Sequence, residues 1–270
     1  MLAAGVIIAA AFGAVVASFL NVCIDRLPAG ESLVFPPSHC GSCGKRLGAR
    51  DLVPILSFLF LRGRCRYCGV KLPNRLVWVE AGTAALFGYL LWHYGLSWDL
   101  ALALFYGALF VVLSVIDLER QLILNRIVYP AAVVVLVVSI FLSPARFIDP
   151  GGTDFSRAIA SLPQAGILQA LIGGAAGLVV FTLIIILSRG GMGWGDAKLA
   201  GLIGAMTGYL VPVAIFVAVI IGGLLAILLL ALRLKKRKEG IPFGPFLALG
   251  GMITVLWGAD IANWYLGRFS

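Results

Sequence analysis

The stretch from residue 166 to residue 200 reads GILQALIGGAAGLVVFTLIIILSRGGMGWGDAKLA. Its first part, residues 166–188, has no charged side chain and is long enough to cross the roughly 30 Å hydrocarbon core of a bilayer, which needs about 20 mostly apolar residues. The apolar positions are continuous rather than alternating, which favours a helix over a strand. Because lipid offers the backbone no hydrogen-bond partner, this stretch predicts a helical membrane protein.

Similar apolar runs recur along the chain. Of the 270 residues, 61% are hydrophobic and only 12% are charged, whereas soluble domains carry about 25% charged residues. The first run resembles a signal peptide in hydropathy, but it lacks a basic N-terminal region and further spans follow, which favours a transmembrane helix. We predict an all-α polytopic membrane protein with about eight spans, near residues 3–22, 77–95, 100–116, 127–143, 166–188, 197–209, 211–232 and 243–262.

Two features qualify this assignment. The sixth span is short, and its Gly204-x-x-x-Gly208 spacing favours close helix packing. The segment 143–164 contains several Pro and Gly residues and is predicted to be an outer loop.

The positions of the basic residues predict the orientation. With alternating spans, loops 23–76, 117–126, 189–196 and 233–242 fall on one side, and they hold or border 18 of the 21 Lys and Arg residues. The positive-inside rule makes that side cytoplasmic. The net charge of +9 is thus a consequence of topology, and we expect the lipid bilayer, with no nucleic acid, as the surrounding partner.

Four cysteines in the first basic loop form two CxxC pairs. They are Cys40 with Cys43 and Cys65 with Cys68. Two such pairs are typical of a tetrahedral four-thiolate zinc site, and Gly44 and Gly69, which follow the pairs directly, favour tight knuckle turns. Four ligands leave no open coordination position, so the expected role of the zinc is structural.

Other interpretations of these cysteines are weaker. Disulfides or redox thiols fit poorly with a reducing cytoplasm. His39 adjoins Cys40 and could replace one thiolate, although four cysteines suffice. Cys23, at the end of the first span, is expected to be a buried free thiol. The chain has no HExxH motif, so a zinc peptidase lacks its basic pattern.

Two aspartates are the candidate catalytic residues. Asp117 ends the apolar run 110–116, and Asp196 lies in the glycine-rich segment 190–196. The predicted topology places both at the cytoplasmic membrane face, on different helices. Two carboxylates that share a site hold one proton between them. The ionised partner can deprotonate a water that attacks a peptide carbonyl, and the protonated partner can donate to the carbonyl oxygen, as in an aspartic peptidase.

Each aspartate also has a plainer interpretation. Asp117 could be a solvated helix end, and Asp196 could be the N-cap of a helix that begins at Ala197. Gly193 and Gly195 favour a functional Asp196, because they allow the backbone to pass close to it and tolerate positive φ. Lys198 either stabilises the charged form of Asp196 or, as we favour, extends to the membrane interface.

Further motifs follow one another over nearly the whole chain. They are Ala17-Ser-Phe-Leu-Asn-Val22, Arg26-Leu-Pro28, the two CxxC pairs, Leu61-Arg-Gly-Arg-Cys65, Val79-Glu80, Gly191-Met-Gly-Trp-Gly-Asp-Ala-Lys-Leu199 and Ile241-Pro-Phe-Gly-Pro245. Together they resemble the motifs of bacterial type IV prepilin peptidases, a group of GxGD-type aspartic peptidases.

The resemblance implies a bifunctional enzyme of the bacterial inner membrane. It would remove the basic leader of prepilins and pseudopilins after a glycine on the cytoplasmic side. It would then methylate the new N-terminal residue with S-adenosylmethionine. Asp117 and Asp196 match the family's catalytic aspartates, and the cysteine loop matches its zinc-binding domain. The implied organisation is a first transmembrane helix (1–22), a cytoplasmic zinc domain (23–76) and a membrane-embedded peptidase core (77–270).

The methyl-donor site is not assigned by any residue pattern. Glu80, which begins a span, is expected to be a buried polar contact, and a role for it in binding cofactor or substrate rests on the resemblance alone. One departure from the family pattern concerns Leu124-Asn125, which stands where the family usually has Pro-Asp. This difference bears on the loop that leads into the fourth span and on substrate preference.

Two other function classes compete with a peptidase. One is a non-catalytic, zinc-stabilised membrane assembly protein, and the other is a proton-coupled transporter. The position of both acids at one membrane face, rather than near the midplane, argues against the transporter.

Overall fold

Helices make up the regular structure of this protein. A computed structural model describes residues 2–149, 154–187, 192–232 and 241–268. The α-helices are α1 (Leu2–Ala29), α2 (Leu56–Phe60), α3 (Arg75–Tyr94), α4 (Trp98–Arg120), α5 (Asn125–Phe141), α6 (Pro144–Ile148), α7 (Asp154–Ala158), α8 (Gly166–Leu187), α9 (Trp194–Thr207), α10 (Val211–Ala231) and α11 (Gly244–Leu266). Two 3-10 turns cover Ala49–Asp51 and Gly208–Leu210. These ranges contain two isolated β-bridges and no strand, which confirms the all-α prediction.

Each predicted span coincides with a helix. α1 continues to Ala29, beyond the predicted end at residue 22, and α9 begins at Trp194 rather than at residue 197. By length and composition, five segments of the described chain are long and apolar enough to cross a membrane: Ala3–Ala29, Trp98–Arg120, Gly166–Leu187, Trp194–Ala231 and Gly244–Leu266. The protein is therefore a multi-pass membrane protein, and the count of eight spans stays a prediction.

Several sequence predictions concern the loops. The predicted outer loop contains two short helices, α6 and α7. Arg189, Gly190 and Gly191 and the basic cluster at 233–238 lie outside the described residues.

The chain divides into two compact units, residues 1–112 and residues 113–270. In the first unit, α1 packs along α3. Their backbones come close at Gly13, where a Cβ atom would lie 2.8 Å from Cβ of Phe87. At the other end of the pair, the Asn21 side-chain amide donates to the carbonyl of Leu76 at 3.2 Å. The segment between α1 and α3 carries the two cysteine pairs.

In the second unit, α8 packs most extensively against α9. Gly173 and Gly177 on α8 face the backbone carbonyls of Gly204 and Ala200 on α9 so closely that any added Cβ would overlap them. This confirms the predicted close packing at Gly204. Because lipid is as apolar as a helix surface, helices associate through such close contacts rather than through the hydrophobic effect. The contact determines where the N-terminus of α9, which carries Asp196, is placed.

We expect Gly204→Ala to loosen α8 from α9, because the new methyl group would overlap the Gly173 carbonyl. Overpacking of this kind costs about 1–3 kcal/mol. The measurement is the apparent melting temperature of the detergent-solubilised protein, followed by circular dichroism. Gly223→Ala on α10 is the matched control, since its Cβ would meet no atom within 4 Å. Equal melting temperatures for the two variants would contradict the prediction.

Candidate active site and candidate metal centre

Asp117 lies in the last turn of α4, with 5% of the residue exposed. The helix stops at Arg120, and the next residue, Gln121, has a φ of +52°. The N–H of Gln121 donates to the Asp117 carbonyl at 2.8 Å, a left-handed helix end of the usual kind. Because Asp117 is buried, its carboxylate needs hydrogen bonds from other groups of the protein to be stable.

One such hydrogen bond comes from the start of α11. The backbone N–H of Gly244 donates to Oδ2 of Asp117 at 2.9 Å. The first N–H groups of a helix have no partner inside the helix and favour a negative charge, so this position suits a carboxylate. A Cβ on Gly244 would lie 2.6 Å from the same Oδ2, so the close approach requires glycine.

The motif 241–245 does not by itself reveal this role of Gly244. A usable signal was present, because Pro245 directly follows Gly244 and proline is frequent in the first turn of a helix. This pairing predicts a helix start at which free N–H groups point at a ligand or an acid.

Asp196 lies in the first turn of α9, with 9% of the residue exposed. The helix begins at Trp194 with Gly193 as its N-cap. The plainer interpretation, in which Asp196 caps a helix starting at Ala197, is therefore wrong. Asp196 is the third helical residue, and its N–H donates to the Gly193 carbonyl at 3.1 Å.

The two glycines beside Asp196 matter because they lack a side chain, and their φ values are ordinary. Gly193 has a φ of −77°, and Gly195 is not among the residues with positive φ. Neither glycine therefore uses the positive φ that it tolerates. The close approach at Gly195 involves a residue other than the predicted Asp196, because a Cβ on Gly195 would lie 2.9 Å from Cβ of Ile123. Glycine lets the loop between α4 and α5 lie against the start of α9.

Asp117 and Asp196 line one cavity of about 440 Å³, together with residues 121–125, residues 193–195 and Lys198. Both carboxylates belong to residues that line this one cavity, so a negative charge on one disfavours a negative charge on the other. The structure thus brings together the pair that the sequence predicted from separate helices. Two acids in this arrangement favour a state with a single negative charge, in which one carboxyl keeps its proton.

Lys198 is directed towards α5. Its Nζ donates to Oδ1 of Asn125 at 2.9 Å and lies 5.8 Å from the centre of the Tyr129 ring. Among the ion pairs of the described residues, none joins Lys198 to Asp196. Asn125 is the first residue of α5, after Leu124 as N-cap. Leu124 and Asn125, the pair that departs from the family pattern, therefore line the cavity. The side-chain amide oxygen of Asn125 accepts the hydrogen bond from Lys198.

The four cysteines of the two CxxC pairs form one cluster. Their Sγ atoms all lie within 4.8 Å of one another, and those of Cys40 and Cys68 are 3.8 Å apart. A tetrahedral ion with metal–sulfur bonds of about 2.3 Å places its ligands about 3.8 Å apart. All five cysteines are free thiols, and Cys23 is buried in α1 outside the cluster. The cluster can hold a metal ion.

Each cysteine pair lies in a similar turn. The N–H of Gly44 donates to the Cys40 carbonyl at 2.8 Å, and the N–H of Gly69 donates to the Cys65 carbonyl at 3.0 Å. Gly44 and Gly69 have φ values of +67° and +71°, which L-residues with a side chain adopt only with strain. The predicted knuckle turns are confirmed.

A carboxylate ties the second knuckle to the 3-10 turn Ala49–Asp51. Asp51 accepts hydrogen bonds from Nε of Arg66 at 2.6 Å, from the Tyr67 hydroxyl at 3.0 Å and from the Gly48 N–H at 3.0 Å. These bonds, that of Arg66 above all, hold the pKa of the Asp51 carboxyl below its usual range. His39, considered above as a ligand, is not part of the thiol cluster.

Comparison with known proteins gives one family. The profile of the bacterial peptidase A24 N-terminal domain matches residues 11–94, and the profile of the type IV leader peptidase family matches residues 103–227. The chain belongs to the type IV leader peptidase family. With its apolar segments, this membership indicates a multi-pass protein of the bacterial inner membrane.

Curated relatives match this leader peptidase over almost its whole length. The prepilin leader peptidase/N-methyltransferase of Pseudomonas aeruginosa is 32% identical, over 94% of this chain and 91% of the relative. The protein of the same name from Bacillus subtilis is 33% identical, over 94% of this chain and 95% of the relative. The one from Stutzerimonas stutzeri is 32% identical, over 97% and 93%. No solved structure matches the chain.

We expect the purified protein to contain about one metal ion per chain, as a single four-thiolate site requires. Cys40→Ala should remove most of this metal, because three thiolates no longer complete the site. Elemental analysis by inductively coupled plasma mass spectrometry measures the content. Cys23→Ala is the matched control and should keep the wild-type metal content, since Cys23 lies outside the cluster. Loss of metal in both variants, or in neither, would contradict the assignment.

Proposed function

We propose that this protein removes the leader of type IV prepilins and pseudopilins after a glycine on the cytoplasmic side, with Asp117 and Asp196 as the catalytic pair. We propose that it then methylates the new N-terminal residue. The observation that carries the peptidase proposal is the meeting of two buried aspartates, from different helices, in one cavity. The names of the relatives, prepilin leader peptidase/N-methyltransferase, support both activities.

The acid pair supplies the general acid and the general base of peptide hydrolysis. The ionised carboxylate removes a proton from a water molecule, whose oxygen forms a bond to the scissile carbonyl carbon. The protonated partner donates to the carbonyl oxygen. When the tetrahedral intermediate collapses, the C–N bond breaks, the leaving amine takes the proton that the base removed from water, and the former carbonyl oxygen returns its proton to the other carboxylate.

The backbone around the pair keeps both carboxylates in place. Gly244 donates to the Asp117 carboxylate, and the N–H of Asp196 donates to the Gly193 carbonyl. The two contacts lie at different helix starts, so the backbone positions both acids. Such preorganisation lowers the barrier because the charged groups do not have to reorient during the reaction.

The cytoplasmic orientation rests on the basic residues. Loops on the side of the two aspartates and the cysteine cluster hold or border 18 of the 21 Lys and Arg residues, as cytoplasmic loops do. The resemblance to prepilin peptidases implies a substrate with a basic leader that is cut on this side.

We further propose that the metal is zinc and that residues 23–76 form a structural zinc domain between a first transmembrane helix, residues 1–22, and a peptidase core, residues 77–270. Four thiolates favour zinc and leave it no open position for catalysis. The proposed methyl donor is S-adenosylmethionine, which supplies an electrophilic methyl group when bound.

Asp117→Asn and Asp196→Asn should each lower leader cleavage by a factor of about 10² to 10⁴, the usual contribution of a general acid or base. The test is co-expression with a prepilin, followed by mass measurement of the pilin N-terminus. Asp260→Asn, at an exposed position on α11, is the matched control and should cleave normally. Wild-type cleavage by both aspartate variants would exclude the proposed pair. Co-purification of uncut prepilin with the wild-type protein would instead indicate an assembly protein.

Gly244→Ala should lower kcat for leader cleavage while the protein still inserts and binds prepilin. The added methyl group would lie 2.6 Å from Oδ2 of Asp117 and would displace that carboxylate. Steady-state kinetics with a purified prepilin separate kcat from KM. Gly223→Ala is the matched control, because its methyl group meets nothing within 4 Å. An unchanged kcat for Gly244→Ala would show that the Gly244 contact is not needed.

A further inference from the structure

The short helix α2, Leu56–Phe60, leaves part of its apolar surface uncovered. Leu56 is 53% exposed, Leu59 is 61% exposed and Phe60 is 85% exposed. Residues three and four positions apart lie on one face of a helix, so these three side chains form one surface, the α2 patch. Contiguous exposed apolar patches mark contacts with a partner or with a membrane.

The other side of this segment is in contact with protein. Ser57, Phe58 and Leu61 line a cavity of about 370 Å³ between the end of α1, the start of α3 and the cysteine-containing segment. The Phe58 ring also packs on Gly63, where a Cβ would lie 3.0 Å from Cζ of the ring. Because this side is held inside the first unit, α2 cannot turn to bury the α2 patch there.

A hydrogen bond to α3 fixes the start of α2. Ile55 is the N-cap residue of α2, and its N–H donates to Oε2 of Glu80 at 2.7 Å. Glu80 is only 9% exposed, which confirms the predicted buried polar contact. Ile55 has a φ of +62°, a strained conformation for a β-branched residue, so this turn depends on contacts such as the one to Glu80.

The position of Glu80 gives the level of α2 along the helix pair. Near the end of α1, the Asp25 carboxylate accepts hydrogen bonds at 2.8 Å and 3.0 Å from Nη2 of Arg75, the first residue of α3. The Cα of Glu80 lies about 7.5 Å further along α3, and its side chain leans back towards the helix start. α2 therefore begins beside the first apolar turns of α3, near Trp78, which is 74% exposed. Tryptophan is enriched at membrane–water interfaces.

The charge around α2 favours a lipid surface. Residues 52–79 contain five Lys or Arg residues and no acid, and Arg62 and Arg64, shortly after α2, are exposed. Basic residues next to an apolar surface are attracted to anionic lipid headgroups. The basic leader of the proposed substrate would be repelled by the same charges.

We propose that the α2 patch inserts into the lipid leaflet around α1 and α3, with Arg62 and Arg64 at anionic headgroups. Interfacial helices bury their apolar face about 5–10 Å into the boundary between headgroups and acyl chains, which agrees with the level of α2 beside Trp78. This insertion anchors the cysteine-containing segment to the bilayer at a third point, between its connections to α1 and α3. The proposal does not depend on the peptidase or the methyltransferase activity.

The first test is photo-cross-linking in cells that express the full-length protein together with a prepilin. Phe60→p-benzoylphenylalanine keeps an aromatic side chain at an exposed position, so the protein should keep its metal content. After irradiation, mass spectrometry of the purified protein should show phospholipid bound to the peptide that contains position 60. Ser42→p-benzoylphenylalanine, at an exposed polar position between Cys40 and Cys43, is the matched control and should show none.

The other outcomes of this experiment contradict the proposal. Cross-links from position 60 to prepilin would identify the α2 patch as a substrate-docking surface, and cross-links to a second copy of this chain would identify it as a dimer contact. Equal lipid labelling at positions 42 and 60, or no adduct at position 60, would show that α2 is not inserted.

The second test is hydrogen–deuterium exchange of the full-length protein in nanodiscs made of equal parts of phosphatidylglycerol and phosphatidylcholine. The N–H groups of Leu59, Leu61 and Arg62 donate within this turn, and a helix this short is unstable without contacts to its surroundings. Leu59→Ser and Phe60→Ser should each speed exchange at these groups by on the order of ten-fold, because each removes one buried apolar side chain.

Val34→Ser is the matched control for the exchange measurement, since Val34 is 69% exposed and lies outside α2. It should exchange as the wild type does at residues 59–62. Wild-type rates in both α2 variants would overturn the insertion. Nanodiscs of phosphatidylcholine alone should give faster exchange than the mixture, and equal rates would overturn the assignment of Arg62 and Arg64 to anionic headgroups.

Discussion

The backbone N–H of Gly244 donates a hydrogen bond to the carboxylate of Asp117 from a position that leaves no room for a side chain. An acid at the end of a membrane helix is costly unless protein or water supplies its partners. Here the start of α11 supplies one, and the missing side chain lets the Gly244 backbone approach the Asp117 carboxylate. The position of Asp117, and with it one half of the acid pair, depends on this contact.

The other half depends on the packing of α8 against α9. Gly173 and Gly177 let the two helix backbones touch at Gly204 and Ala200, and this contact sets the position of α9 and therefore of Asp196 in its first turn. At the same end of α9, Gly195 leaves room for Ile123. Glycines at a few positions thus allow the close contacts that place both acids beside one cavity.

The first unit is stabilised in a different way. Its segment between α1 and α3, residues 30–74, contains only one short helix and one 3-10 turn, and a domain of about this size often needs a metal or disulfides to be stable. The four thiols bring its two knuckles together, and Asp51 ties the second knuckle to the 3-10 turn Ala49–Asp51. With the segment held in this way, the buried acid Glu80 and the amide of Asn21 face a defined cavity.

The fold class, the cysteine cluster and the two aspartates could all be predicted from the sequence. Continuous apolar runs indicate membrane helices because lipid leaves the backbone no other choice, and the CxxC spacing indicates a four-ligand site because each pair binds from one turn. Local patterns also predicted the tight turns at the knuckle glycines and the close helix packing at Gly204. What these features share is that their cause lies within a few residues of the chain.

The tertiary structure alone decided which distant groups meet. That Asp117 and Asp196 share a cavity, that Gly244 is the donor to Asp117, that Lys198 turns to Asn125, and that Glu80 holds Ile55 all join residues far apart in sequence. The predicted start of α9 at residue 197 is wrong, because Gly193 acts as N-cap without a capping side chain that the sequence could reveal. Such contacts depend on how closely helices approach, and helix approach is set by side-chain volume on both partners, which no single segment specifies.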